Sequence, residues 1–230
     1  MRNIFADMLE IGREFAGRLT LRRDTAPIDS VARLEDFVAT RSAYIAQKSL
    51  YGYLKTRMGT RYPTMFDDDV FVQSINLAKL HVFAACLSDL TVHAVARATQ
   101  GQPVTDAVRR GFATACYSAA AKANAMDAVD GGAVDGEGAF SWDSHLTAFS
   151  RRLDETDWAE GALQRQNFTD SPAALVRWAP IAPELKRLDR EIVENSIKFA
   201  WRDIRQDFEK RLDAATVVAD LSDLPSRAGL

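Results

Sequence analysis

Asp89 lies near the middle of an apolar stretch, Val70 to Ala98, that also holds His81 and His93. A carboxylate and two imidazoles can transfer protons near neutral pH or ligate a divalent metal. On a helix turning 100° per residue, Asp89 and His93 stand about 40° apart and His81 about 80° from Asp89, so the three can share one broad face. His81 and His93 are three turns apart, too far to hold one small ion together. No H-E-x-x-H or paired E-x-x-H motif is present, so no metal site is expected. A buried carboxylate is costly unless it is paired. The competing role for Asp89 is therefore a structural pair with Lys79 or with an arginine or tyrosine from another helix.

A second group of chemical residues lies upstream. Arg41, Lys48 and Lys55 repeat every seven residues, with Tyr44 and Tyr51 flanking them at the same interval. Such a ridge could hold an anionic ligand, with tyrosines adding hydrogen bonds or cation–π contact. Arg57, Arg61, Tyr62 and Phe66 crowd the segment that follows. The alternative is that the stems lie along the apolar face and the heads meet carboxylates such as Asp67–Asp69.

Several chemistries find no support. The acidic glycine-rich segment near 130–138 does not fit the EF-hand pattern. There is no G-x-S-x-G elbow, and Ser118 and Lys122 are spaced S-x₃-K rather than S-x-x-K. Phosphate-binding loops and dinucleotide fingerprints are absent, so no cofactor is expected. The net charge of −3 and pI near 5.7 argue against a nucleic-acid binder. Two cysteines far apart, Cys86 and Cys116, each in an apolar run, fit a reducing cytoplasm.

These residues need elements to position them, and the periodicity supplies helices. Residues 2–21 place Ile4, Phe5, Met8, Ile11, Phe15 and Leu19 at helical spacing. Packing on a core is favoured over peripheral membrane contact, because the polar face carries both charge signs. Longer helices are expected near 30–58, 70–100, 106–128 and 183–215, and shorter ones at 143–153, 156–166 and 172–178. Pro63 predicts a loop around Tyr62, and Ser171-Pro172 reads as a cap and first turn. Lys79, His81, Asp89 and His93 divide 70–98 into runs too short for a membrane span. The expectation is an all-α multi-helix bundle. Residues 1–220 form its single domain, with a flexible acidic loop near 130–138 and a frayed tail over 221–230.

The last long helix carries two apolar lines. Leu185, Leu188, Ile192, Asn195 or Ser196, and Phe199 form the first; Trp201, Ile204, Phe208 and Leu212 form a shifted second. Docking on its own domain and seating a partner helix are both open. An exposed apolar strip would favour assembly, and a pocket joining Asp89 to a nucleophile would favour an enzyme.

Segments 44–66 (YIAQKSLYGYLKTRMGTRYPTMF) and 192–205 (IVENSIKFAWRDIR) resemble small all-helical bacterial proteins labelled "esterase". The resemblance implies a hydrolase and carries over no catalytic residue. The leading expectation is a cytoplasmic helical binding or regulatory protein, acting as an oligomer or with a protein partner. The alternative is a small hydrolase with an acid/base site around Asp89, His81 and His93.

Overall fold

Polar caps set most of the helix starts. The computed structural model describes residues 25–124, 139–159 and 167–227. The expected helix over 2–21, the acidic segment near 130–138 and most of the expected helix over 156–166 lie outside the described residues. Helix α1 is Val31–Met58; Ser30 Oγ accepts from Arg33 N at 3.3 Å, and Gly59 ends it with φ 55°. Helix α2 is Asp69–Ala98, capped by Asp68, whose Oδ1 accepts from Val70 N at 2.9 Å. Helix α3 is Asp106–Ala123, with Thr105 Oγ1 accepting from Val108 N. Helices α4, α5, α6 and α7 are Trp142–Glu155, Asp170–Trp178, Pro183–Arg211 and Ala214–Arg227. The all-α multi-helix expectation holds: the described residues contain no sheet.

Helix α2 is apolar on every side, which a helix tolerates only at the centre of a structure or in a membrane. By length and composition it could cross a membrane, but six-tenths of its most apolar window is buried by the chain itself. Every residue from Leu80 to Ala96 is buried. α1, α3, α4, α5 and α7 pack around α2, and α6 crosses α1 and α5.

Two elements depart from expectation. The loop around Tyr62 is a pair of 3-10 turns, Gly59–Arg61 and Pro63–Asp67, and Tyr62 itself is helical at φ −51°, ψ −46° despite the proline that follows. Edge-on contacts from Tyr62 to Phe66 and from Phe66 to Phe71, at 5.3 and 5.5 Å, accompany that conformation. The last long helix stops at Arg211 rather than 215. There Leu212 is extended and bridges Ile28: Ile28 N donates to Arg211 O at 2.8 Å, and Asp213 N to Ile28 O at 3.0 Å. Asp213 then caps α7 through Thr216. Helix α7 runs on to Arg227, and residues 228–230 of the tail expected to fray lie outside the described residues.

Candidate functional site

Asp89 is 1% exposed, and five donors converge on its carboxylate. Oδ1 accepts from Arg152 Nη1 at 2.7 Å and from Thr169 N and Asp170 N, both at 3.2 Å. Oδ2 accepts from Ser171 N at 2.8 Å and Ser171 Oγ at 2.6 Å. Three of the donors are the leading backbone N–H groups of α5. Thr169, in the N-cap position, makes no side-chain cap, so Asp89 caps this helix from α2. Ser171-Pro172 is therefore not the cap expected from sequence; Ser171 sits inside the helix and binds the carboxylate that caps it.

Burial pushes the Asp89 carboxyl above its usual range. The Arg152 guanidinium and the Ser171 hydrogen bonds oppose that, while Asp170 reinforces it. Arg152 also donates to Ser88 Oγ, to Asp170 Oδ2 and to the Asn167 carbonyl. Trp201 Nε1, from α6, donates to Ser171 Oγ at 2.9 Å. One polar network thus fastens α2, α4, α5 and α6. Within it Ser88 Oγ donates to Asp170, and Ser171 Oγ donates to Asp89, a carboxylate already held by Arg152 and three backbone N–H groups. Cys86 and Cys116 are buried free thiols, and burial pushes both far from the thiolate state.

The two histidines expected beside Asp89 have other neighbours. His81 Nδ1 lies 2.9 Å from His145 Nε2, one nitrogen of the pair donating and the other accepting. Its ring stacks on Trp178, with centroids 3.5 Å apart and planes parallel within 1°. His93 faces Phe168 and Phe208. Neither of its ring nitrogens has a hydrogen-bond partner among the described residues. Burial, reinforced by Arg205 and Arg97, pushes His93 down to about 3. The structure thus commits Asp89 to a helix cap, pairs His81 with His145 and sets His93 beside Phe168 and Phe208. Among the described residues no cluster of three metal-ligating side chains forms.

The cationic ridge is also divided. Arg41 is buried, over Phe37 and 3.5 Å from Asp207 of α6. Lys48 is exposed, 5.5 Å from the Tyr44 ring centroid, and Lys55 is exposed in the last turn. Tyr51 is half-buried; burial and the nearby Tyr62 push it up to about 12. Arg61 is exposed beside the half-buried Tyr62. Asp189 of α6, rather than Asp67–Asp69, neutralises this end of α1, pairing with Arg57 at 2.8 Å and accepting from Tyr53 at 3.0 Å.

Helix α6 carries the least expected surface. Val193, Ile197, Trp201, Ile204 and Phe208 form its buried face. On nearly the opposite side Leu188, Ile192 and Phe199 are 70%, 74% and 67% exposed, with Leu185 at 38%. Self-docking therefore accounts for one apolar line and leaves the other uncovered. Beside Phe199 a groove of about 520 Å³ opens between α5 and α6, with Phe168, Pro172 and Trp201 on its apolar side and Lys198, Arg202 and Arg205 on its charged side. No protein-family model, curated protein or solved structure matches this chain.

Sequence reasoning missed Arg152, Asp170, Ser171 and His145. The apolar surroundings of Asp89 signalled that a partner must exist, but nothing local to residues 145–171 identified it.

Proposed function

We propose that this chain is a helical binding protein that acts in the cytoplasm and recognises a second apolar helix through the exposed line of α6. The observation that carries this reading is the exposure of Leu188, Ile192 and Phe199 on one face of a 29-residue helix whose other face is already packed. Exposed apolar residues in a connected line mark interaction surfaces, whereas scattered ones do not. A helix in this setting offers anchors at three–four spacing, the pattern by which one amphipathic helix reads another. Two buried thiols that do not pair are consistent with a reducing compartment.

The hydrolase reading is the weaker one. Its acid/base group is saturated as a helix cap, held by the Arg152 guanidinium and three backbone N–H groups that oppose its taking up a proton.

The test is association. Sedimentation velocity across a concentration series, and recovery of partners on tagged protein, are compared for wild type and Leu188→Glu/Ile192→Glu. Loss of association at an unchanged melting temperature supports the reading. Association that survives both charges overturns it. Ester turnover abolished by His81→Ala would replace it with the hydrolase.

A further inference from the structure

We propose that the resting occupant of the exposed α6 line is the chain's own amphipathic segment 2–21, lying parallel to α6 and competing with partners for that face. The inference rests on the reading of this line as a docking surface and adds its regulation.

Four observations on length and pattern support it. The α6 line has spacing three, four, four, three through Leu185, Leu188, Ile192, Ser196 and Phe199. The segment offers Ile4, Met8, Ile11, Phe15 and Leu19 at four, three, four, four. Set side by side in the same direction, the members pair one for one, with offsets of only 180 or 181 residues, as layers do between two parallel helices. The apolar lengths also agree: about 21 Å on α6 and about 22 Å on the segment, at 1.5 Å per residue.

The point where the chain enters the fold fixes the reach. Ala26 O accepts from Arg211 Nε at 2.9 Å, and Ile28 bridges Leu212, so the described chain begins at the C-terminal end of α6. From Arg211 back to Phe199 is about 18 Å of helix. The seven residues from Leu19 to Ala26 span up to about 23 Å when extended, enough to set Leu19 at the level of Phe199. From there a parallel helix ends with Ile4 at Leu185.

The apolar line also stops at the right place. Its next three positions on α6 are Asp203, Gln206 and Lys210, all exposed. Beyond Leu21 the segment likewise turns polar, at Arg22, Arg23 and Asp24.

A cysteine pair tests the register in the full chain. Met8→Cys with Leu188→Cys should form an intrachain disulfide under mild oxidation, read by non-reducing electrophoresis and peptide mass spectrometry. Met8→Cys with Phe199→Cys should not link, because the partners then lie about 16 Å apart along the helices. Removing residues 1–24 should raise the fluorescence of the apolar dye 1-anilinonaphthalene-8-sulfonate several-fold. An 8–199 link, a disulfide joining two chains, no link in either pair, or unchanged dye fluorescence overturns the inference. If linking fails while Leu188→Glu/Ile192→Glu still abolishes association, the docking surface stands and only its proposed occupant falls.

Discussion

Ser171 donates twice to Asp89, through its backbone N–H at 2.8 Å and its hydroxyl at 2.6 Å, although the two residues are 82 positions apart. The same hydroxyl accepts from Trp201 Nε1. A helix that lacks its own cap is thereby fixed to the centre of α2 and to α6 at one point. The clearest chemical residue in the sequence is the joint of the fold.

Asp89→Ala should destabilise the protein by about 3 kcal/mol, the lower end for breaking a buried pair, because Asp170 still faces Arg152. Asp89→Asn should also destabilise, since its NH₂ group would face backbone donors. Urea unfolding measures both. A midpoint within error of wild type for Asp89→Ala would contradict the cap.

Ser171→Ala leaves Trp201 Nε1 without its acceptor and removes one donor from Asp89. The expected loss is about 1–3 kcal/mol. Tryptophan fluorescence during unfolding reports both the stability and the changed surroundings of Trp201.

His93 predicts an acid-sensitive stability. Unfolded, it takes up a proton at its ordinary value of 6.5; folded, it resists protonation down to about 3. Protonation thus favours the unfolded chain. The His93 contribution is complete above pH 6.5 and is lost as pH falls toward 3, at about 1.4 kcal/mol per pH unit. His93→Leu should flatten that slope and keep or raise the melting temperature at pH 7, because both ring nitrogens lack partners. Melting curves from pH 7 to pH 4 test it; an identical slope in the variant would refute it.

Lys48→Glu with Lys55→Glu should leave stability within about 0.5 kcal/mol, since both side chains are exposed. Arg41→Ala should cost more, because Arg41 is buried against Phe37 beside Asp207. Thermal melts of the two variants separate surface charge from core charge. Equal shifts would mean that the ridge acts as one unit.

Sequence alone determined the helical elements and the buried centre. Ser30, Asp68 and Thr105 cap the helices they precede, and the unbroken apolar run of α2 requires burial on all sides. These are local properties, because caps and periodicity act within a few residues. Tertiary structure decided which groups meet. Arg152 reaches Asp89 only because α4 and α5 close over α2, and His81 finds His145 rather than His93 for the same reason. The break at Leu212 has no breaker residue to announce it; a bridge to Ile28, nearly the whole chain away, decides it. Both lines on α6 read as docking faces in sequence, and packing buried only one of them, since one helix can present only one side to a single core.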